Sequence, residues 1–253
     1  MHPLLSKSHI PRNFFDVSEG FILRSDCWSS DVGDIAMIRC EFQVENFRRD
    51  CFTKLNIACP DVIKLSVPKR QAEFLAGRFA AKHGLKSVDF PMNNKGITIG
   101  KNRDPQWPNK IIGSITHSGI YASAIVSNSS AYRFIGLDIE SYIEEDVFGM
   151  IQSVIASDEE LSQLSTFGYT ESQALTILFS AKECLFKSVY PFIREFFGFK
   201  QARLVQTSTA FNFLKLTFEL SAGYAKLCNS KNIFQVYATV DQQSVTTTII
   251  ESY

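Results

Sequence analysis

Two short segments carry residues that could do chemistry together. The first is Gly136-Leu-Asp-Ile-Glu140 and the second is Phe179-Ser-Ala-Lys-Glu-Cys-Leu-Phe-Lys187. Asp138 and Glu140 are two residues apart, so on a strand, where side chains alternate, both carboxylates face the same way. Two hard oxygen ligands on one face suit Mg²⁺, which keeps several waters and completes its shell with phosphate oxygens. The second segment adds a third carboxylate, Glu183, and two cations, Lys182 and Lys187. Three acids, two lysines and room for a metal point to chemistry on a phosphate ester or diphosphate.

The second segment reads as a helix. Leu178, Ala181, Leu185 and Val189 recur at three- and four-residue steps and make one face apolar. Glu183 and Lys187 are four apart and share a face, while Lys182 is turned by about 100° from Glu183. Pro191 is expected to end the helix near Tyr190. Taken alone, Glu183 and Lys187 read as an ordinary surface ion pair worth about 0.3–0.5 kcal/mol, and Asp138 with Glu140 could be a solvated strand end.

These residues need elements to hold them. Ile111–His117, Tyr121–Val126 and Phe134–Glu140 read as strands. Upstream, Pro68 opens a helical pattern with the apolar stripe Ala72, Leu75, Ala76, Phe79 and Ala80, which Gly84 is expected to close. Arg70 and Arg78 lie about two turns apart on that helix, nearly on one face. A break follows from Asn93-Asn-Lys-Gly to Asp104-Pro-Gln-Trp-Pro108, in which Trp107 reads as a packed loop anchor. Asn128-Ser-Ser reads as a turn. Helices are expected around Val147–Ile155 and from Asp158, where Ser157 and Glu160 form a capping box. The chain beyond Pro191 is β-rich, at Leu214–Leu220, Phe234–Val240 and Val245–Ile250. The expected class is α+β: a pseudo-dimeric single chain of two similar lobes, residues 1–134 and 135–253. Each lobe has a mixed or antiparallel sheet and a long helix.

Composition narrows the chemistry. Of 253 residues, 45% are hydrophobic and 21% charged, which is the balance of a globular protein. Lys+Arg and Asp+Glu both number 26, so net charge gives no argument for nucleic-acid or membrane binding. No apolar run approaches the roughly 20 residues of a membrane span. The N-terminus shows no secretory signal. The six cysteines and four histidines have no metal spacing, so zinc is not expected, and the thiols read as reduced and cytoplasmic. Charge is nevertheless segregated. Lys64 to Lys110 holds ten Lys or Arg and three acids, whereas Asp138 to Glu171 holds nine acids and no Lys or Arg. A basic half receiving a polyanion and an acidic half holding a metal fits this pattern, as do two solvated faces.

Three motifs then stand in order: Pro105-Gln-Trp-Pro with Gly113-Ser-Ile-Thr-His117-Ser-Gly-Ile-Tyr121, Ile135-Gly-Leu-Asp-Ile-Glu140, and Phe179 to Lys187. With Lys69-Arg-Gln-Ala-Glu-Phe-Leu-Ala-Gly-Arg78 before them, the chain resembles the 4'-phosphopantetheinyl transferases of the single-chain, two-lobed type. Within these it resembles the branch serving bacterial siderophore synthesis, of the enterobactin kind. The resemblance covers most of residues 65–190.

The resemblance implies transfer of the phosphopantetheine arm of coenzyme A to a serine of an apo carrier domain of a nonribosomal peptide synthetase. The other product is adenosine 3',5'-bisphosphate. It implies Asp138, Glu140 and Glu183 as Mg²⁺ ligands, with Glu183 also the general base, directly or through water. Lys187 would steady charge on the diphosphate, with Lys182 as a second catalytic lysine. Arg70, Arg78, Thr116 and His117 would contact the coenzyme A phosphates, joined by Lys101 or Arg103. A cytoplasmic monomer is expected.

The residues themselves leave two other readings open, a Mg²⁺-dependent phosphodiesterase and a non-catalytic module that binds carriers or coenzyme A. Phe148, Met150 and Ile151 do not all fit one stripe with Val147 and Val154. They are expected either to contact an apolar carrier helix or to join the core.

Overall fold

A computed structural model of the chain describes residues 2–8, 20–90, 96–128, 130–229 and 232–253. The expected features at residues 93–95 and at residue 129 lie outside the described residues. The chain forms two compact units, one of Leu4–Arg133 with Ser252–Tyr253, the other of Met1–Pro3 with Phe134–Glu251.

The first unit holds strands β1 (Ser6–Ser8), β2 (Ile22–Ser29) and β3 (Ile35–Phe42), then short helices α1 (Cys51–Lys54) and α2 (Asp61–Lys64). The long helix α3 (Pro68–Ser87) follows, then the small β4–β5 pair (Thr98–Ile99, Pro105–Gln106), β6 (Ile111–Ser118) and β7 (Tyr121–Asn128). The sheet order is β1-β2-β3-β7-β6. The β2–β3, β3–β7 and β6–β7 pairs are antiparallel. Antiparallel pairing lets one face carry the core, and α3 covers it. The expected stripe Ala72, Leu75, Ala76, Phe79 and Ala80 is at most 2% exposed and packs with Phe21, Ile38 and Phe42. Each fully buried Leu or Phe contributes about 1.5–3 kcal/mol.

Helix α3 does not stop at Gly84 but continues to Ser87. A Cβ on Gly84 would stand 2.6 Å from Val126 Cγ2. The glycine is therefore there for close approach of helix to sheet, and local sequence cannot tell that use from a C-cap. Trp107 packs against this core, as expected of a loop anchor.

The second unit begins in β8 (Tyr132–Ser141) and continues through α4 (Glu145–Ile155), α5 (Asp158–Ser165) and α6 (Glu171–Ile193). Strands β9 (Ala202–Ala210) and β10 (Phe213–Leu220), helix α7 (Ala222–Leu227), and strands β11 (Ile233–Val240) and β12 (Ser244–Ser252) complete it. The sheet order is β8-β12-β11-β10-β9. Its core gathers Leu175, Leu178, Leu185 and Val189 of α6 with Phe218, Phe234 and Ile249. Each unit is thus an antiparallel-rich sheet with one long helix, the α+β class expected.

One detail of this unit differs from the sequence reading and another resolves what it left open. Helix α6 carries Pro191 inside its last turn and ends at Ile193, where Arg194 adopts φ 58° and its amide donates to Tyr190 O at 2.9 Å. A proline so near the end sacrifices one helical bond, and burial of Ile193, 6% exposed, holds the turn. Helix α4 turns Phe148 and Ile151 against the core and leaves Met150 70% and Val154 57% exposed. Among the described residues, no helix is long and apolar enough to cross a membrane.

Candidate active site

The acidic motif sits on β8, where Leu137 and Ile139 are fully buried and Asp138 and Glu140 share the alternate face. Asp138 is 1% exposed, and Glu140 is half-buried near the strand end. Opposite lies α6, drawn in by Gly136. A Cβ there would stand 2.3 Å from the carbonyl oxygen of Cys184. Any larger residue would lever the strand away from the helix. With that clearance, Lys187 Nζ reaches Asp138 Oδ1 at 2.5 Å.

Electrostatics tie the third acid in. Burial pushes the Glu183 carboxyl up; Lys187 pulls it down and Asp138 pushes it further up, for a net rise. The Asp138 charge is therefore felt at Glu183. Burial pulls the Lys187 ammonium down, but Asp138 and then Glu183 more than offset this, so it is held above the usual lysine value. Asp138, Glu183 and Lys187 thus form one coupled group, with Glu140 beside it on the strand. Among the described residues, no three His, Cys, Asp or Glu side chains stand close enough together to cage a metal ion. The donors fit Mg²⁺ in kind, being carboxylate oxygens, two of them on one strand face.

Lys182 does not join this group. It is 2% exposed, and its Nζ donates to Glu160 Oε2 and to Ile155 O, both at 2.8 Å. Burial lowers its ammonium, and Glu160 opposes that. The cause is helical geometry: a residue adjacent to Glu183 is rotated by about 100°. Glu160 in turn closes the expected capping box with Ser157 and accepts from the Leu204 amide at 2.7 Å. One carboxylate so links α5, α6 and β9. The sequence showed Glu160 as a cap and gave no sign of this second use.

The basic residues gather in the first unit. Arg70 of α3 places Nη1 2.7 Å from His117 Nε2, at the end of β6. Glu73, one turn along α3, has its Oε2 3.6 Å from Arg70 Nη1 and 3.9 Å from His117 Nδ1. The guanidinium of Arg78 covers the Phe74 ring at 4.8 Å and donates to Thr98 O at 3.3 Å. Among the described residues, its buried Nε has no acceptor. Burial, then repulsion from Arg70, lowers Arg78 to about 10. Arg70, His117 and the Glu73 carboxylate thus meet in one cluster, with the Arg78 guanidinium near enough to Arg70 to be repelled by it.

Thr116 is turned away from this site. It is 4% exposed and neighbours His117 on a strand, so its side chain takes the opposite face. Lys101 and Arg103 stand exposed at the tip of the β4–β5 pair, which Arg78 ties to α3 through Thr98. The sequence reading missed Glu73. The signal was available, since Glu73 is three residues from Arg70 and shares its face.

Two family models and several known proteins match this chain. The 4'-phosphopantetheinyl transferase N-terminal domain matches residues 60–127, and the 4'-phosphopantetheinyl transferase superfamily model matches residues 134–245. Enterobactin synthase component D of Escherichia coli is 38% identical over 120 residues, 47% of this chain and 55% of that protein. The 4'-phosphopantetheinyl transferase PptT of Mycobacterium tuberculosis is 31% identical over 148 residues, 56% of this chain and 61% of that protein. The 4'-phosphopantetheinyl transferase Npt of Nocardia iowensis is 30% identical over 166 residues, 65% and 66%. The chain spans about half the length of the first of these relatives. All the candidate residues, from Arg70 to His117 and from Asp138 to Lys187, fall inside the two family matches, and the chain belongs to the 4'-phosphopantetheinyl transferase superfamily.

Proposed function

We propose that this protein transfers the 4'-phosphopantetheine arm of coenzyme A to a serine hydroxyl of an apo carrier protein, with Mg²⁺, and releases adenosine 3',5'-bisphosphate. The observation that carries this reading is the coupled group of Glu183, Lys187 and Asp138, with Glu183 raised by burial and Lys187 charged beside it.

A carboxyl raised toward neutral is a better base than an ordinary one. Glu183 takes the proton of the serine hydroxyl, directly or through a water, as the serine oxygen bonds to the β-phosphorus. The bond from that phosphorus to the bridging oxygen breaks, and the ammonium of Lys187 meets the charge growing on the leaving phosphate. Mg²⁺, when bound, supplies Lewis-acid charge across the diphosphate, and Asp138, Glu140 and Glu183 are the residues that would hold it. Lys187 now occupies one oxygen of Asp138. Releasing it would free both the ligand and the cation for their roles.

Arg70, Arg78 and His117 hold phosphates of coenzyme A, with Lys101 and Arg103 on the neighbouring hairpin. Lys182, bonded to Glu160 and Ile155 O, and Thr116, on the other face of β6 from His117, are left out of this reading. The working form in this reading is a monomer. Identity of 38% to enterobactin synthase component D favours carrier domains of siderophore nonribosomal peptide synthetases as acceptors. Coenzyme A as co-substrate implies the cytoplasm as compartment.

The test is incubation with coenzyme A, Mg²⁺ and a panel of apo carriers, read by intact mass. A carrier gaining one phosphopantetheine arm supports the reading. Free phosphopantetheine without carrier gain would make the protein a phosphodiesterase, and binding without turnover a non-catalytic module. Glu183→Gln should lose about 10²–10⁴-fold in rate, the usual cost of a general base. Full activity in excess chelator would remove the metal from the mechanism.

A further inference from the structure

The contact between Arg70 and His117 has a fixed polarity. An arginine only donates, so His117 Nε2 at 2.7 Å must accept. The proton of the neutral ring is then on Nδ1, the nitrogen facing Glu73 Oε2 at 3.9 Å. In this state His117 has no donor to offer a phosphate through Nε2. An incoming phosphate takes the Arg70 donor and leaves Nε2 facing an acceptor.

The ring has two ways to respond. It could move its proton from Nδ1 to Nε2, which would turn a bare Nδ1 lone pair toward the Glu73 carboxylate. It could instead take a second proton from solvent and donate from both nitrogens, Nε2 to phosphate and Nδ1 toward Glu73. The first sets two acceptors against each other, and the second sets a cation between two anions. Among the described residues, the charged groups set against His117 include Arg70 and Glu73, both from α3, with Arg78 further along that helix repelled by Arg70. Phosphate binding engages the arginine charge that opposes a protonated ring, whereas the Glu73 charge stays.

We infer that Glu73 is a positioning residue that makes coenzyme A binding take up a proton on His117, so that the phosphate is held by an imidazolium locked between it and Glu73. This rests on the assignment of Arg70, Arg78 and His117 to coenzyme A phosphates. Glu73 touches no substrate; it selects the protonation state of the residue that does.

Calorimetry of coenzyme A binding in buffers of differing ionisation enthalpy, from pH 6 to 8.5, tests this on the full chain. His117→Ala gives the baseline for protons exchanged by the ligand itself. Wild type should take up close to one proton above that baseline at neutral pH, and its Kd should weaken roughly tenfold per pH unit toward the alkaline end. Glu73→Gln keeps the shape and an acceptor but not the charge. It should lose most of the excess uptake and weaken binding roughly tenfold at neutral pH. Ring ¹⁵N signals of His117 should show one protonated nitrogen, Nδ1, in the free protein at pH 8 and two in the complex. If Glu73→Gln binds with the same proton uptake and pH profile as wild type, or the ring carries one proton throughout, the inference is overturned and the phosphate assignment stands. If wild type does not bind coenzyme A, or His117→Ala and Arg78→Ala bind it unchanged, the phosphate assignment falls and the inference with it.

Discussion

Lys187 Nζ and Asp138 Oδ1 meet at 2.5 Å across 49 residues of sequence, with the carboxylate 1% and the lysine side chain 28% exposed. Removing one partner of such a pair leaves a buried charge, and that costs more than the pair itself contributes. Lys187→Ala should therefore destabilise the fold by about 1–3 kcal/mol and lower kcat more than KM for coenzyme A. Asp138→Asn, which removes the buried charge, should cost less stability than Lys187→Ala while still abolishing most turnover. Urea midpoints and steady-state kinetics of the two variants check this. Turnover of either within about twofold of wild type would refute the assigned roles.

Lys182 is expected to matter for stability and hardly for chemistry. Its partner Glu160 also holds the Ser157 and Leu204 amides, so the two side chains act as one buried unit. Lys182→Ala and Glu160→Ala should each lower stability by about 3–5 kcal/mol, and the double variant should cost clearly less than the sum. A less disruptive Lys182→Met, if folded, should keep kcat within a few-fold. A loss of about 10²-fold or more with an intact fold would return Lys182 to the catalytic residues.

His83 predicts an acid-side loss of stability. It is 8% exposed, its ring stands 4.4 Å from that of Phe79, and burial, followed by repulsion from Lys86 and Lys82, lowers its pKa from 6.5 to about 4. Between those values the unfolded chain binds a proton that the folded chain refuses. Stability from this group is therefore full above about pH 6.5 and is lost as pH falls toward about 4, by up to roughly 3 kcal/mol. His2, also lowered to about 4, adds a second slope of the same sign. The difference in urea midpoint between pH 7 and pH 4.5 should shrink in His83→Gln and not vanish. An unchanged difference would show that another group carries the slope.

Helix α4 divides the expected docking residues. Met150 points outward, as does its neighbour Val154, whereas Phe148 and Ile151 lie against the core. Met150→Ser and Val154→Ser should raise KM for the carrier by roughly 3–10-fold, as loss of an apolar contact does, with KM for coenzyme A and Tm nearly unchanged. Phe148→Ser should lower Tm instead. Unaltered carrier kinetics in both outward variants would move the docking surface elsewhere.

Much of the architecture was legible in the chain because it is local. The alternation in Tyr121–Val126 and Phe134–Glu140, the stripe from Ala72 to Ala80 and the Ser157–Glu160 box each depend on neighbours within a few residues, and each became the expected element. Strand β9 was missed because Ala202–Ala210 is mostly polar and half-covered, and it takes its register from β10. The order of motifs was enough to identify the family, since the residue types that chemistry demands survive as a linear pattern.

Whatever needed two distant segments was settled only in three dimensions. Gly84 reads as a helix stop until Val126 stands 2.6 Å from its missing Cβ. Lys182 and Lys187 are equivalent lysines in sequence. Rotation about α6 sends one to Glu160 inside the core and the other to Asp138 on β8. Thr116 and His117 part for the same reason on a strand, one to each face. Glu73 looked like an ordinary helix acid until the β6 end brought His117 beside it. Sequence by itself determined which functional groups are present and which local element carries each. The tertiary structure decided which of them meet, because Coulomb energy and desolvation depend on separation and burial, and neither is a function of position along the chain.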